Sequence, residues 1–538
     1  MTNNIVKDDH AATMLAAGGG VKRVLIVGAG PGGLLAAINL LRRNDNNNAG
    51  SPRYHVTLVD PGIDYGELDE SGLEKFRSWM IGLSAHGLRS IRRVPGLYEN
   101  YISKVGVKCR SFRIAMNRLI DIKTKIPDTN AEEIGFLVDR NFVCGGLARY
   151  LNDNYSSSPS FVPYYQTKAL CVDVEGGSLN GDNSTIKRVV YTKSVAPGAT
   201  NDDNRLIPLE YDILLGCDGI RSVVRNAFVT SHRDFTFDIQ DNFGEFKGIH
   251  IPTPTDCDEG GFMLLINMLP NCGAFCLPER GNMLNVAMGW TRNKPCDPEL
   301  LSKDPAVITE YFRKNLKYFR GIDFDEVGKL WAKQSLSTTG MAHCNFYHSE
   351  KLMAILLGDA AHATVPNIGQ GMNTALADAA ALDEILDERG DDWEDGVLPE
   401  FSRLRVKEGN ALTELSFHTS SLDPMMQAEI VFRQQSRIML NKLFPSFVDP
   451  EPMRQIGMGE KLSHAYNLLS TKLGGRYLER SRRINQYIMR KHFEEQTGMV
   501  QKEQQHFSSS LFYYSKVVAV VGIAVTIGLN AVQNQQDK

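Results

Sequence analysis

The sequence lacks an excess of charge of either sign. Its 538 residues include 59 lysines and arginines against 63 aspartates and glutamates, which gives a formal net charge of −4. A nucleic-acid-binding surface needs a clustered basic face, and this balance provides no electrostatic basis for one. We therefore expect no nucleic-acid partner.

The sequence also lacks the signatures of metal sites and of covalent catalysis. The nine cysteines form no Cys-x-x-Cys pair and no Cys/His cluster with zinc-ligand spacing. No GxSxG, HExxH or Walker-lysine motif is present. The first residues have neither the apolar run of a signal peptide nor the arginines of a transit peptide. We expect no metal, reduced thiols in a cytosol-facing protein, and a disordered lead-in over residues 1–20.

A glycine-rich turn follows the first apolar run of the chain. Gly28-x-Gly30-x-x-Gly33 lies between a strand-like segment and a helix-like one, and Asp60 ends the next apolar run. The first glycine permits a tight turn, the second lets a pyrophosphate approach the backbone, and the third packs helix on strand. The pattern predicts dinucleotide binding with Asp60 on ribose hydroxyls. By itself it does not separate FAD from NAD.

A second glycine-acid segment lies more than three hundred residues later. An apolar run ends at Gly358-Asp359, and a glycine-bearing loop at residues 366–373 leads into another helix. Asp359 can hold a ribityl or ribose hydroxyl, or alternatively cap a helix. Backbone N–H groups of the loop can face an electron-rich ring. Two remote segments that converge on one elongated cofactor fit FAD better than NAD.

A third segment joins a strand to a helix near the middle of the chain. The strand ends in Asp218-Gly219, and the helix begins with Ser222 between Arg221 and Arg225. Taken singly, the serine would be a helix cap and the arginines would be solvated. The combination is much less ambiguous.

These three motifs, in this order and spacing, resemble the group A flavoprotein aromatic hydroxylases, and among them most of all the kynurenine 3-monooxygenases. The segments are GAGPGG, GCDGIRSVVR and LLGDAAHATVPNIGQGMN, and the similarity covers about residues 21–473. It implies an enzyme with FAD as cofactor and NADPH as co-substrate. No side chain is implied to be catalytic with certainty.

The resemblance implies roles for individual positions. Three glycines would hold the FAD pyrophosphate, an aspartate its ribose, an arginine the phosphate-ribityl side, and a second aspartate the pyrophosphate and transient nicotinamide. Further residues would line the flavin, and a loop would lie on its reactive side. In that order, the residues are Gly28, Gly30 and Gly33; Asp60; Arg140; Asp218; Asp359, Met372 and Asn373; and the loop residues Pro366, Gly369, Gln370 and Gly371.

The positions that would anchor an amino-acid substrate differ from the family pattern. The family arginine falls at Phe112 or, with a one-residue slip, at Arg113, and the asparagine falls at Thr419. The two tyrosines fall at Asp128 and Pro452. We take Arg113 and Thr419 as candidate substrate residues. A carboxylate needs charge-assisted donors, so kynurenine itself is doubtful as substrate.

We expect an α/β fold: a Rossmann-type, glutathione reductase-like FAD-binding domain with an inserted antiparallel-sheet substrate domain and a helical C-terminal region. The predicted parts are residues 21–230 (FAD-binding, first part, with 77–135 on the substrate side), 231–345 (substrate sheet), 346–400 (FAD-binding, second part), 401–507 (helical) and 508–533 (membrane anchor).

The anchor prediction depends on an apolar C-terminal stretch. Residues 511–532 would form a helix of about 33 Å, enough for a hydrocarbon core of about 30 Å. The alternative is a buried or partner-binding helix. Tail anchors occur in both the endoplasmic reticulum and the mitochondrial outer membrane, and the resemblance to the kynurenine 3-monooxygenases favours the latter, with the enzyme facing the cytosol.

The leading functional hypothesis is a monooxygenase that uses FAD, NAD(P)H and O2 to hydroxylate a small aromatic substrate. One alternative keeps the fold and changes the chemistry to epoxidation of an apolar lipid. Another is a membrane-tethered flavoprotein with mainly a redox-sensing or interaction role.

Overall fold

The computed structural model describes residues 20–45, 53–76, 78, 80–116, 120–125, 136–175, 186–197, 206–472 and 476–498. Residues 1–19 of the predicted lead-in and the predicted anchor at 508–533 lie outside the described residues. Within the described ranges, no helix combines the length and apolarity needed to cross a bilayer.

Nineteen strands and fourteen helices are assigned within these ranges. The strands are β1 (Lys22–Val27), β2 (Tyr54–Val59), β3 (Met80–Leu83), β4 (Gly106–Lys108), β5 (Ser111–Met116), β6 (Ile120–Lys125), β7 (Phe136–Asp139), β8 (Phe161–Tyr164), β9 (Thr167–Glu175), β10 (Lys187–Ser194), β11 (Ile207–Tyr211), β12 (Ile213–Gly216), β13 (Phe237–Pro252), β14 (Gly261–Leu269), β15 (Cys272–Glu279), β16 (Met283–Thr291), β17 (Ser337–Cys344), β18 (His348–Ser349) and β19 (Ala354–Leu356). The helices are α1 (Pro31–Asp45), α2 (Glu70–Glu74), α3 (Ala85–Arg92), α4 (Arg140–Tyr155), α5 (Val223–Ser231), α6 (Pro305–Asn315), α7 (Phe324–Lys333), α8 (Asp359–His362), α9 (Gly371–Arg389), α10 (Leu398–His418), α11 (Pro424–Leu443), α12 (Pro452–Gly457), α13 (Leu462–Asn467) and α14 (Arg476–Gln496).

The first large sheet has six strands in the order β18-β19-β12-β1-β2-β8. All neighbours run parallel except the short β18–β19 pair. Its central strands are almost wholly apolar and buried, as expected for a parallel sheet covered on both faces. Parallel strands end at the same edge, so the turns after β1, β2, β12 and β19 lie side by side.

Helices α1 and α9 pack against each other and run in the same direction. A methyl group added at Gly32 would lie 3.2 Å from the Ala375 carbonyl oxygen, which shows how closely the two helices approach near their starts. One turn after another, Asn39 donates to the Ala379 carbonyl at 3.2 Å, and Arg43 pairs with Asp383 at 2.7 Å. Both helix N-termini therefore lie at the same end of the molecule.

The second large sheet has seven strands in the order β17-β13-β16-β15-β14-β5-β6. Only the β5–β14 pair is parallel. Helices α6 and α7 cover one face, where the rings of Phe312 and Trp331 meet edge to face at 5.6 Å. The opposite face turns toward β3 and β7, because Phe262 packs against a buried cluster that includes Met80 and Leu137.

The remaining elements complete the predicted architecture. Two three-stranded sheets complete the layers: β11-β10-β9 contacts β1 and β2 of the first sheet, and β3-β7-β4 contacts β15 of the second. From Leu398 onward the described chain is helical. A parallel FAD-type sheet, an apposed antiparallel sheet and a helical C-terminal region agree with the predicted fold class. The residue numbers given for the domain boundaries stay predictions.

Candidate functional site

The three predicted acids follow adjacent strands at one edge of the first sheet. Asp60 directly follows β2. One residue separates Asp218 from the end of β12, and two residues separate Asp359 from the end of β19. Backbone hydrogen bonds join the turns: Gly28 N donates to Val59 O at 2.8 Å, and the nitrogen before Asp218 donates to Val27 O at 2.7 Å. Segments more than three hundred residues apart in sequence thus form one continuous edge.

The glycines of the first turn have different physical reasons. Gly28 has φ of 108°, and a methyl group there would lie 2.2 Å from the Cys217 oxygen. A methyl group at Gly33 would lie 2.0 Å from the Gly28 oxygen, so no side chain fits at either position. A methyl group at Gly30 would have no atom within 4 Å. Gly28 and Gly33 are required by the fold, whereas Gly30 borders open space.

A cavity of about 120 Å³ lies beside this turn, and Gly30, Asp60 and Arg140 all line it. Asp60 is held in place because its carboxylate accepts from Ala29 N at 2.7 Å and from Gly62 N at 2.6 Å. Three residues that the sequence predicted to bind the cofactor therefore line one cavity. An acid, an arginine and a helix N-terminus around a cavity fit the ribose and phosphates of a dinucleotide.

Arg140 connects this cavity with the second glycine-acid segment. Asp359 is exposed to solvent at the start of α8, yet the protein around it crowds its carboxyl group. That desolvation raises the pKa of Asp359, and His362 and Arg140 oppose the rise. Arg140 therefore lines the cavity beside Asp60 and also influences the carboxyl group of the second segment.

The loop at residues 366–371, called the flavin-side loop from here on, ends at the start of a helix that no N-cap side chain caps. Gly369 has φ of 65°, and α9 begins at Gly371 with no side chain accepting from its first N–H groups. Within the described residues, these donors and the positive end of the helix dipole are free to meet an electron-rich group. Gln370 is buried and accepts from the Ser84 hydroxyl at 3.1 Å. Pro366 starts a short 3-10 turn before the loop.

Asn373 has a more structural position than the sequence suggested. Its side-chain oxygen accepts from Ser84 N at 2.9 Å, and its nitrogen donates to the carbonyls of Gly82 at 2.9 Å and Gly369 at 3.0 Å. The amide is buried and engaged by protein groups on all three bonds. It ties the loop to β3 and α3, while its neighbour Met372 is half-buried. A flavin contact through Met372 or Asn373 stays a prediction.

The Asp218 carboxylate caps a helix. It accepts from the Ser222 hydroxyl at 2.6 Å and from Val223 N at 2.6 Å, which are at the start of α5. Burial raises its pKa, and these hydrogen bonds oppose the rise. The backbone nitrogen of Asp218 would lie 2.9 Å from a methyl group on Gly28, so the residue is beside the first turn as predicted from the resemblance. Its role toward a nicotinamide stays a prediction.

A buried ionic group supports the second segment, and sequence reasoning missed two of its members. Asp378 accepts from Gly358 N at 2.8 Å and from Arg405 Nε at 2.6 Å, and its other contact is His362 Nε2 at 2.7 Å. Burial would raise the pKa of Asp378, but His362 and Arg405 hold it at about 2. His362, whose Nε2 lies 2.7 Å from Asp378, thus helps to order the turn. The sequence signal that could have identified Asp378 is its place on the inner face of a predicted helix, where an aspartate needs a partner.

The candidate substrate residue Arg113 faces the wrong side of the second sheet. It lies opposite Met263, on the face covered by helices, and its guanidinium donates to Asp121 at 2.7 and 2.8 Å and to Asp256 O at 3.1 Å. The unslipped position, Phe112, occupies the other face. The expectation that Arg113 binds substrate is therefore corrected, because side chains alternate along a strand.

Phe112 and Thr419, two positions aligned with substrate-binding residues of the resembled family, make contacts within the protein. The Phe112 ring stacks on Phe262 with centroids 4.9 Å apart and an interplanar angle of 8°, on the face turned toward β3 and β7. The Thr419 hydroxyl donates to the Leu415 carbonyl of its own helix. Among the described residues, no recorded contact joins Thr419 to Arg113. The two candidate substrate residues do not form a common site.

Comparisons with known proteins agree with this geometry. A family model described as an FAD binding domain matches residues 192–398. Violacein synthase of Chromobacterium violaceum is 26% identical over 325 residues, covering 58% of this chain and 67% of that protein. The kynurenine 3-monooxygenase of Anopheles gambiae is 25% identical over 354 residues, 64% of this chain and 65% of that enzyme. The alignment with the Sus scrofa enzyme covers only 50% of its length.

Solved structures show the same fold. PqsL, a probable FAD-dependent monooxygenase from Pseudomonas aeruginosa, is 18% identical, with a TM-score of 0.53 over 74% of this chain and 95% of that one. A 2-methyl-3-hydroxypyridine-5-carboxylic acid oxygenase is 17% identical, with a TM-score of 0.52 over 83% and 98%. The predicted resemblance, the fold class, the oxidoreductase class and FAD as the cofactor are confirmed.

Proposed function

We propose that this chain, a homologue of flavoprotein monooxygenases with an FAD-binding domain, uses FAD, NAD(P)H and O2 to hydroxylate a small aromatic molecule. The observation that carries the proposal is the shared edge of the first sheet. Along this edge lie Asp60, Asp359 and the N-termini of the parallel helices α1 and α9. Arg140 lines the cavity beside Asp60 and opposes the rise in the pKa of Asp359. The apposed second sheet provides a wall for a substrate.

The residues present fit FAD along this edge. The open space at Gly30 and the α1 N-terminus would hold the pyrophosphate, Asp60 the adenosine ribose, Arg140 the phosphate-ribityl side, and Asp359 a ribityl hydroxyl. FAD, when bound, supplies the redox and oxygen chemistry. The protein then has to position an aromatic ring, exclude water and hold the flavin-side loop. The uncapped start of α9 would stabilise negative charge that develops on the flavin.

The nature of the substrate follows from the apolar wall. The stacked Phe112 and Phe262 rings occupy the face where the family arginine would bind a carboxylate, and Arg113 is committed elsewhere. A carboxylate placed against two phenyl rings would lose its hydrogen-bonding partners at a cost of several kcal/mol. We therefore propose an aromatic substrate without a charged amino-acid end.

A matched pair of substrates tests this proposal. L-Kynurenine and 2-aminoacetophenone share the same acylated aniline ring, and only kynurenine carries the amino-acid end. Stopped-flow reduction of the flavin by NADPH and by NADH is followed with each compound, and the products are identified after aerobic incubation. We expect faster reduction and hydroxylated product with 2-aminoacetophenone. A protein that takes up no flavin defeats the monooxygenase proposal, whereas clear preference for kynurenine defeats only the substrate assignment.

A second activity is favoured by the same apolar wall. Stacked phenylalanines would also accept an apolar alkene, so epoxidation of a lipid is the alternative oxygenation. Aerobic incubation with squalene as a probe separates the two activities. If squalene gives an epoxide and neither L-kynurenine nor 2-aminoacetophenone is hydroxylated, epoxidation replaces aromatic hydroxylation as the proposed activity.

Membrane attachment is proposed from the sequence of residues 508–533. The apolar stretch there has the length of one membrane span, and tail anchoring to the mitochondrial outer membrane would leave the flavin site in the cytosol. Fractionation of cells that express the full chain and a version ending at residue 507 provides the test. Equal carbonate extraction of both proteins would contradict the anchor.

A further inference from the structure

A second cavity, of about 240 Å³, lies where β13 and β17 meet helices α10 and α14. It shares no lining residue with the cavity beside Gly30. Glu414 and His418 of α10 line it, whereas the backbone carbonyl of Ser416 in the same helix accepts from the side chain of Asn367 in the flavin-side loop. The cavity and the flavin-side loop therefore contact the same segment of α10 through different groups.

Two of the lining side chains have buried polar atoms without partners. His418 is 5% exposed, and its Nδ1 makes no hydrogen bond within the described part of the chain. Its Nε2 lies 3.8 Å from Glu414 Oε2, beyond hydrogen-bond distance. Arg482 Nε is also buried without a hydrogen bond among the described residues, with Glu479 Oε2 at 3.6 Å. Leaving such atoms unpaired costs free energy that a bound molecule would recover.

The cavity also presents charges of both signs. Glu414 is half-buried, and burial raises its pKa against the opposing effect of Arg482. Asp238 lines the wall opposite to α10, on β13. Burial lowers the pKa of His418 to about 4, with Arg482 acting in the same direction, so this imidazole is neutral at physiological pH. Guanidinium, carboxylates and a neutral imidazole therefore face one space.

This combination decides between classes of small molecule. A purely anionic ligand would meet Glu414 and Asp238, and a purely cationic one would meet Arg482. A ligand with both an ammonium and a carboxylate group can pair with each sign at once. Met341, which also lines the cavity, belongs to a buried apolar cluster with Phe417 and provides a surface for an aliphatic side chain.

We propose that the cavity between α10, α14 and β13–β17 binds a small zwitterion with an aliphatic body, its carboxylate on Arg482 and His418 and its ammonium group on Glu414 and Asp238. The site is separate from the proposed oxygenation site and does not depend on it. Since α10 also carries the contacts of Asn367, occupancy of the cavity is positioned to influence the flavin-side loop.

Three probes that share a 3-methylbutyl body test the assignment by isothermal titration of the FAD-loaded full chain. L-Leucine carries both charged groups, 3-methylbutylamine carries only the ammonium, and 4-methylpentanoate carries only the carboxylate. None has an aromatic ring, which separates them from the proposed substrate. We expect leucine to bind one to one and at least tenfold more tightly than either other compound. Absence of leucine binding in the millimolar range, or equal binding of the amine or the acid, overturns the proposal.

Variants then locate the binding. Arg482→Met and Glu414→Gln are each expected to weaken leucine binding at least tenfold. The control is Arg483→Met, whose side chain is 77% exposed on the same helix and pairs with Glu479 outside the cavity. Bound FAD and far-ultraviolet circular dichroism report whether each variant is folded. Leucine binding that survives Arg482→Met unchanged would place the molecule elsewhere and refute the site.

Discussion

The substitution Gly30→Ala separates the cofactor site from the fold. A methyl group at Gly30 would have no protein atom within 4 Å, and its φ is not in the left-handed region, so the folded chain tolerates alanine. A glycine replaced by alanine at a compatible position gains about 0.4–1 kcal/mol, because the unfolded chain loses freedom. The same methyl group would occupy the space through which the pyrophosphate reaches the backbone. We expect unchanged or slightly higher stability and at least tenfold weaker FAD binding, about 1.4 kcal/mol.

The matched control is Gly33→Ala, three residues later. Its methyl group would lie 2.0 Å from the Gly28 oxygen, well inside ordinary van der Waals contact, and this oxygen belongs to the backbone and cannot rotate away. We expect Gly33→Ala to lower the free energy of unfolding by more than the ~1–3 kcal/mol typical of overpacking. Thermal melts of the apoproteins and fluorescence titration with FAD measure both quantities. If Gly30→Ala binds FAD like the wild type, the space beside this turn does not hold the pyrophosphate and the site assignment fails.

Two further predictions concern the support of the second glycine-acid segment. Asp378→Asn is expected to lower the free energy of unfolding by about 3–5 kcal/mol, because it leaves the largely buried guanidinium of Arg405 without its carboxylate partner. The pKa of Asp378 is lowered from 3.8 to about 2 in the folded chain, so about 2 kcal/mol of stability is present above pH 4 and lost as pH falls toward 2. Urea titrations of both proteins from pH 7 to pH 3 measure this, and a difference that grew on acidification would contradict the sign. Gly409→Ala is expected to destabilise by about 2 kcal/mol, because its methyl group would lie 2.0 Å from the Tyr347 hydroxyl; a melting temperature equal to the wild type's would refute it.

Much of the cofactor site could be predicted from local sequence. Gly28, Gly30 and Asp60 were predicted from a few neighbouring residues, and the structure places Gly30 and Asp60 around one cavity, two residues from the tight turn at Gly28. Asn373 was predicted on the correct loop, but its amide bonds to Ser84 and Gly82, nearly three hundred residues earlier in the chain. Such long-range bonds leave no local pattern.

The substrate side was harder to predict because it depends on strand register. The family arginine fell between Phe112 and Arg113, and one residue decides which face of a strand a side chain occupies. Pairing of β5 with β14 places Phe112 beside Phe262 and Arg113 beside Met263. An alignment of sequences with an insertion nearby cannot make that choice.

The sequence alone predicted FAD binding at two distant glycine-acid turns, because glycine geometry and the charge at a helix start depend only on local residues. Tertiary structure decided which side chains face the substrate wall, since the pairing of β5 sets its register. Packing of α9 and α10 decided that Asp378 and Arg405 would meet His362 in a buried ionic group. A buried carboxylate is stable only with such partners, and residues on separate elements become partners only when the chain folds.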